Sequence, residues 1–188
     1  FFLGDPLDGT KEFIRRNGEF TVNIALIVDH APAWGIVTVP VTGEAFYGAV
    51  GEGAFAARIA DGTVGAATPI AVRHVPAEGP TVLASRSHRL PETEAFIARV
   101  GASDIVSAGS SLKFCRIAAG KADLYPRHGP TMEWDPPAGR WSHWTARRSP
   151  TASGAGRGWR TSSTRHSWRR ASRSIRRCWQ AEGDGVAD

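Results

Sequence analysis

The sequence has 188 residues, a formal net charge of +5 and only two cysteines. Two cysteines exclude a disulfide-stapled scaffold and fit a reducing compartment, and no apolar run reaches the roughly 20 residues that a membrane-spanning helix needs. We therefore expect a cytoplasmic protein of one domain or two small ones, with peripheral association at the inner membrane as a further option.

The first residues predict a strand that ends in a sharp turn. Residues 1–3 are apolar, as at the buried end of a strand, and Pro6 is expected to break the ladder of that strand. Gly9 permits a tight bend into a short helix predicted over residues 11–16.

Three acids stand at positions suited to cation binding. Asp5 and Asp8 would flank the N-terminus of the short helix, where the N–H groups of Gly9 and Thr10 can hold a phosphate. Asp135 must come from a distant element, and gathered carboxylates need a compensating cation, for which Mg²⁺ is the expected occupant. The alternative for the first segment alone is an ordinary Asx turn with a Thr cap.

The next part of the chain predicts successive antiparallel strands. Residues 20–28, 34–41 and 44–50 are β-rich and are separated by short turn signals. Residues 52–65 predict a hairpin with Asp61-Gly62 at its turn.

The pattern then changes to alternating strands and helices. Short strands are predicted over residues 81–85, 105–107 and 122–125, and helices over 91–100 and 110–120. Residues 76–80 form the expected linker. We accordingly divide the chain into an N-terminal subdomain at 1–75, a second subdomain at 81–135 and a tail at 136–188.

Several segments together resemble the inositol monophosphatase superfamily and, within it, the CysQ branch of 3'(2'),5'-bisphosphate nucleotidases. The resemblance is continuous from Phe1 to Asp135 and rests on four segments: Asp5-Pro6-Leu7-Asp8-Gly9-Thr10-Lys11-Glu12-Phe13-Ile14; residues 17–26; Gly109-Ser110-Ser111-Leu112-Lys113-Phe114-Cys115; and residues 122–127 leading to Glu133-Trp134-Asp135. It implies a layered αβαβα sandwich of the sugar-phosphatase type, incomplete at both ends in this sequence.

The resemblance also implies which residues bind metal. Asp5 would bridge two Mg²⁺ ions, the carbonyl of Leu7 would complete the first site, and Asp8 with Asp135 would complete the second, a third ion being an option. The family also has a metal-binding Glu and a water-activating acid ahead of the position of Phe1, and neither can be assigned here.

A bisphosphate nucleotide is the implied substrate. Gly9, Thr10 and Lys11 would contact the phosphate that is cleaved. The implied nucleotide pocket is formed by Ser85, His88, Ser110 and Ser111. Lys113 and Arg127 would hold the second phosphate, which suits an ammonium and a guanidinium fork. Pattern alone leaves Lys113 as a solvated helix residue and His88 as a capping or packing residue.

The tail differs from the rest of the chain. Residues 136–188 hold 11 Arg and three acids, five of the seven Trp, and no Leu, Met or Phe, whereas residues 1–135 hold 12 Lys and Arg against 15 acids. Such a segment cannot form a core. It could bind nucleic acid through Arg and Trp. We favour a shifted reading frame, because the family continues after Asp135 with Thr-Ala-Ala-Gly where this chain has Pro136-Pro137-Ala138-Gly139.

The expected reaction is Mg²⁺-dependent hydrolysis of the 3'-phosphate of adenosine 3',5'-bisphosphate to AMP and phosphate, with the phosphosulfate analogue as a further substrate in sulfur assimilation. The alternatives are inositol monophosphatase or fructose-1,6-bisphosphatase activity in the same fold, a nucleic-acid-binding protein that uses the tail, and an inactive fragment. The oligomeric state cannot be read from the sequence.

Overall fold

A computed structural model describes residues 1–84 and 90–126, all of which lie in one compact unit, Phe1–Ala152. The predicted site residues Ser85, His88, Arg127 and Asp135 and the whole tail lie outside the described residues. The division of the chain into subdomains at residues 76–80 stays a prediction.

The described residues form nine strands and three helices. In chain order these are β1 (Phe2–Asp8), α1 (Thr10–Ile14), β2 (Thr21–Val28), β3 (Ala31–Val39), β4 (Glu44–Ala49), β5 (Gly53–Ala60), β6 (Thr63–Val64), β7 (Thr68–Ile70), β8 (Thr81–Ala84), α2 (Pro91–Arg99), β9 (Asp104–Ser107) and α3 (Leu112–Ala118).

The first seven strands form one antiparallel sheet in the order β1-β2-β3-β4-β5-β6, with β7 also paired to β5. The predicted interruption at Pro6 is confirmed. Asp5 pairs with Asn23 and Asp8 with Thr21, so that β1 holds one extra residue between the two pairs. Such a bulge bends the strand and re-aims the side chains beside it.

The elements stack in layers around α3. Leu112 and Cys115 of α3 pack on the large sheet against Val37 and Phe46. Ile117, on another side of α3, packs against Leu83 of the small parallel sheet β8-β9. The opposite face of β8, through Val82 and Ala84, packs on Ile97 of α2. The described residues therefore supply four consecutive layers, β-α-β-α, of the five that were predicted.

The outer face of the large sheet is apolar and partly open. The side chains of five residues, 22, 24, 26, 34 and 36, lie on this face. Each is half-buried or exposed, with Ile24 41% exposed.

The prediction that residues 1–3 form a buried strand end is wrong for Phe1 and Phe2, which are 75% and 69% exposed. They lie in or next to β1, at the edge of the sheet, where no further strand of the described part covers them.

Most other predicted elements are confirmed within a few residues. The Asp61-Gly62 turn joins β5 to β6, and both residues have positive φ, 51° and 72°, as a two-residue hairpin turn requires. The strand predicted over residues 122–125 is reduced to a single parallel bridge between Val82 and Leu124, and β7 was not predicted. Among the described residues no helix has the length and apolarity to cross a membrane.

An ion pair joins the segment after β7 to the segment after α3. The Arg73 guanidinium donates to both oxygens of Asp123 at 2.9 and 2.8 Å, and the Thr81 N–H donates to Asp123 Oδ2 at 2.8 Å. The hydrogen bond from Arg73 outweighs burial and holds the pKa of Asp123 below its ordinary value of 3.8.

We expect Arg73→Gln to lower stability in a pH-dependent way. Because the folded pKa of Asp123 lies below its unfolded value, the stabilisation is fully present above the unfolded pKa and is lost as pH falls through the folded pKa. Urea unfolding from pH 7 to pH 2 should show a lower free energy of unfolding for the variant than for wild type at neutral pH. The difference should shrink at the acid end to what the hydrogen bond from Arg73 to Thr81 Oγ1, at 2.9 Å, contributes. Arg99→Gln, whose guanidinium lies over the Phe96 ring, is the control. A difference in the free energy of unfolding that stays constant with pH would contradict the assignment of the low pKa of Asp123 to its contact with Arg73.

Candidate active site

The Asp5–Thr10 segment is a bulged strand end that turns directly into a helix. Asp5 Oδ1 accepts the Leu7 N–H at 3.0 Å, which is an Asx turn. Gly9 has φ 90° and ψ 49°, the left-handed region, and precedes the first residue of α1. A Cβ at Gly9 would lie 3.0 Å from Ser110 Cβ, so glycine is required both by the backbone and by the neighbouring loop.

Asp8 is held by donors from two distant parts of the chain. Ser111 donates to Asp8 Oδ2 through its backbone N–H and through Oγ, each at 2.6 Å. Thr21 Oγ1 donates to the same oxygen at 3.2 Å and Asn23 Nδ2 at 3.3 Å. These contacts fix the carboxylate against β2 and the N-terminal end of α3.

The loop that carries Ser111 is anchored by Glu19. The Gly109 N–H donates to Glu19 Oε2 at 2.9 Å, and Ser110 Oγ donates to the Glu19 carbonyl oxygen at 2.6 Å. Ser110 has φ 44°, which is rare for a residue with a side chain and reflects the tight turn of this loop. The loop so anchored contacts the Asp5–Thr10 segment through the hydrogen bonds from Ser111 to Asp8.

Lys113 lies inside the protein and is not the solvated residue that the helical pattern allowed. It is 7% exposed, and its Nζ donates to the Ala108 carbonyl oxygen at 3.2 Å. The ammonium also lies 5.3 Å from the centroid of the Tyr125 ring. Tyr125 is two residues before Arg127, the other residue predicted to hold the second phosphate.

The structure thus brings several of the predicted site residues together. Ser111 is hydrogen-bonded to Asp8, and Ser110 lies close enough to Gly9 that a Cβ built on the glycine would touch it. Thr10 and Lys11 begin α1 and are exposed. Within residues 1–84 and 90–126 no three His, Cys, Asp or Glu side chains form a group that could hold a metal ion, and Asp135, the predicted third acid, lies outside those residues.

The donor set of this segment suits a hard divalent cation. Asp5 and Asp8 offer carboxylate oxygens and Leu7 a carbonyl oxygen, and Mg²⁺ is bound in proteins through a few such oxygens together with water and substrate phosphates. Neither nitrogen nor sulfur ligands stand in the segment, so the residues present fit Mg²⁺.

Sequence reasoning missed Thr21, Asn23 and Glu19 as parts of the site. Thr21 and Asn23 share one face of β2 with the buried Ala25, and both are almost fully buried, at 0% and 2% exposure. Two polar side chains on the core face of a strand require partners there, and this alternation was the signal that could have identified them.

Comparison with known proteins identifies relatives over most of the chain. The sequence profile described as "Inositol monophosphatase family" matches residues 1–141, a little past Asp135. The 3'(2'),5'-bisphosphate nucleotidase CysQ of Salmonella typhimurium is 48% identical over 139 residues, which are 74% of this chain and 53% of that protein. The Escherichia coli K12 protein of the same name is 47% identical over the same coverage. The chain spans about half the length of these curated relatives.

Solved structures show the same architecture. CysQ from Bacteroides thetaiotaomicron, described as a bacterial member of the inositol monophosphatase family, matches with a TM-score of 0.69 and 42% identity over 78% of this chain and 59% of that chain. Mycobacterium tuberculosis SuhB, at 24% identity and a TM-score of 0.64 over 77% of this chain and 59% of that one, shares the fold. The predicted layered α/β fold is confirmed.

Proposed function

Since this chain belongs to the inositol monophosphatase family, we propose that it acts as a Mg²⁺-dependent phosphatase on adenosine 3',5'-bisphosphate. Water displaces the 3'-oxygen at phosphorus, so that the products are AMP and inorganic phosphate. The phosphosulfate analogue is a second proposed substrate, in sulfur assimilation. The nucleotide is chosen because the CysQ proteins, which are 47 to 48% identical to this chain, carry bisphosphate nucleotidase in their name.

The single observation that carries the proposal is the fixed placement of Asp8 beside the start of α1. Asp5, the Leu7 carbonyl and Asp8 would hold the magnesium ions, with Asp135 as the further ligand. Bound magnesium supplies charge neutralisation at the phosphate and a more acidic water molecule. The chain's own residues have the task of holding these oxygens and the phosphate in one place.

The start of α1 is proposed to bind the phosphate that is cleaved. The first turn of a helix has N–H groups without intrahelical acceptors, and the helix dipole favours an anion there. Thr10 is exposed at this position, so its hydroxyl can orient a water molecule, and Lys11 follows it. Asp8 and Gly9 stand immediately before this turn.

Lys113 and Arg127 are proposed to bind the phosphate that stays on the nucleotide, with Ser85, His88, Ser110 and Ser111 in the nucleotide pocket. The Lys113 ammonium donates to the Ala108 carbonyl oxygen, and its positive charge is the feature proposed to attract the phosphate. Its burial strengthens any charge–charge contact that it makes with a phosphate. An inositol monophosphate has no second phosphate, so this contact would select for bisphosphates.

The test is phosphate release with and without Mg²⁺ from adenosine 3',5'-bisphosphate, inositol 1-phosphate and fructose 1,6-bisphosphate. We expect release from the nucleotide that stops when Mg²⁺ is removed with EDTA. Lys113→Met keeps the volume of the side chain and removes its charge. It should lower kcat/KM for the nucleotide about 10- to 100-fold, the worth of one charged hydrogen bond, and that for inositol 1-phosphate much less.

Lys121→Met is the matched control, because Lys121 is exposed beyond the end of α3. An equal loss on the nucleotide and on inositol 1-phosphate would instead favour inositol phosphatase activity.

The proposed location is the cytoplasm, and the described residues give no support to association with the inner membrane.

A further inference from the structure

The Asp8 carboxylate is held by one of its two oxygens. Among the residues that the structure describes, every donor to Asp8 reaches Oδ2: the Ser111 N–H, Ser111 Oγ, Thr21 Oγ1 and Asn23 Nδ2. A carboxylate has about four acceptor positions, two on each oxygen. The described residues thus saturate Oδ2 and leave the acceptor positions of Oδ1 unoccupied by any donor of their own.

Ser111 supplies the two shortest of these contacts, both at 2.6 Å, and is 2% exposed. Its Oγ also accepts a hydrogen bond from Asn23 Nδ2 at 2.9 Å. Because Asn23 Nδ2 can only donate and the Asp8 carboxylate oxygen accepts, the hydroxyl proton is directed at Asp8. The hydroxyl therefore acts as a donor of fixed orientation, aimed at Asp8.

Asn23 is fixed in turn, although its carbonyl is unsatisfied. Its Oδ1 is buried without a hydrogen-bond partner in the described part of the chain. Rotating the amide by half a turn would bring that oxygen against Asp8 Oδ2, where both atoms are acceptors. An orphaned buried acceptor costs about 1–3 kcal/mol, and a folded protein keeps such a group where other contacts over-determine it.

We propose that Ser111, Asn23 and Thr21 act together as a positioning group for Asp8, holding Oδ2 inside the protein and presenting Oδ1 to a divalent cation. This inference rests on the proposed function, in which Asp8 is a metal ligand. Ser111 then acts behind Asp8, through the carboxylate, and the geometry of the ligand is set before the ion binds.

The test is Mg²⁺ binding to the full 188-residue chain, measured by titration calorimetry without substrate. Ser111→Ala removes the hydroxyl donor and keeps the backbone donor. Since loss of a partner that orients a metal ligand typically costs about 10- to 100-fold in metal affinity, we expect the Kd for Mg²⁺ to rise about tenfold. Thr21→Val keeps the shape of the side chain and removes a longer bond, so its Kd should rise less, by about threefold.

Ser103→Ala is the matched control. Ser103 Oγ donates to the Gly79 carbonyl oxygen at 2.9 Å, so this variant also loses one hydroxyl hydrogen bond but not one to Asp8. All titrations are made well below the melting temperature of each variant, so a purely structural role of Ser111 would lower the melting temperature and leave the Kd unchanged. Thr21→Val keeps the proposal testable if Ser111→Ala does not fold.

The proposal is overturned if Ser111→Ala and Thr21→Val bind Mg²⁺ as tightly as Ser103→Ala, or if the wild-type chain does not bind Mg²⁺. A separate assay of phosphate release tests the proposed function independently of Mg²⁺ binding. Weaker Mg²⁺ binding in the variants of a wild-type chain that releases no phosphate would support the positioning group and reject the phosphatase. Phosphate release by the wild-type chain, together with Mg²⁺ binding in the variants as tight as in wild type, would support the phosphatase and reject the positioning group.

Discussion

Asp8→Ala is expected to abolish Mg²⁺-dependent phosphate release and also to destabilise the fold. Because losing a partner of a metal ligand already costs about 10- to 100-fold, losing the ligand itself should lower kcat/KM by more than about 100-fold. The substitution also leaves the four donors that reach Asp8 Oδ2 without their acceptor. We expect the free energy of unfolding in EDTA to fall by about 2 kcal/mol or more, as for buried donors that lose their acceptor.

Asp5→Ala is the matched comparison for this prediction. Asp5 is also a proposed metal ligand, but within the described part of the chain its carboxylate accepts the local hydrogen bond from the Leu7 N–H. Activity should therefore be lost to a similar degree, while the free energy of unfolding in EDTA changes by no more than about 1 kcal/mol. Urea unfolding and phosphate release give the two readouts. Equal destabilisation by both substitutions would show that the contacts to Asp8 Oδ2 do not form in solution.

Gly109→Ala is expected to have the second largest effect, because a side chain at this position has no space. Its Cβ would overlap with Glu12 Cγ and would lie 2.9 Å from Glu12 Cδ and 3.1 Å from Glu19 Cβ. To relieve the clash, either the Glu12 side chain turns aside or the Gly109–Ser111 loop, which Glu19 anchors, moves, and movement of the loop displaces the Ser111 donors from Asp8. Overpacking of this kind costs about 1–3 kcal/mol, and we expect phosphate release to fall with it.

Two further variants isolate the clash. Gly4→Ala adds the same methyl group in β1. Its Cβ would make an ordinary contact of 3.6 Å with the backbone carbonyl oxygen of Asn23, so the free energy of unfolding should change little. Glu12→Ala combined with Gly109→Ala removes the obstructing side chain and should recover part of the loss, as a coupling energy in a double-mutant cycle. Gly109→Ala with the stability of wild type in urea unfolding would disprove the close approach.

Local chemistry made the elements of the large sheet predictable. The Asp61-Gly62 hairpin could be placed because its turn type demands positive φ at both central residues, which glycine and aspartate tolerate. The bulge at Pro6 follows from the missing N–H of proline. The exposure of Phe1 and Phe2 was not predictable, because an apolar run predicts a strand without saying which neighbour covers it.

The role of α3 depended on its neighbours. Its apolar positions were recognised from their helical spacing, yet that spacing left Lys113 equally suited to solvent or to the interior. The structure buries Lys113 because α3 packs between two sheets, so that little of its surface faces water. The periodicity of the sequence indicates one apolar face of the helix. It does not indicate that a second sheet covers the opposite face.

By itself, the sequence determined the turn at Gly9, the order of most strands and helices, and the family, because each depends on residues close together in the chain. Only the tertiary structure decided that Asp8 is held by Ser111, a contact that spans 103 residues, with Thr21 and Asn23 beside it. Such contacts depend on how the sheet packs against α3, and a pattern of neighbouring residues carries no record of that packing.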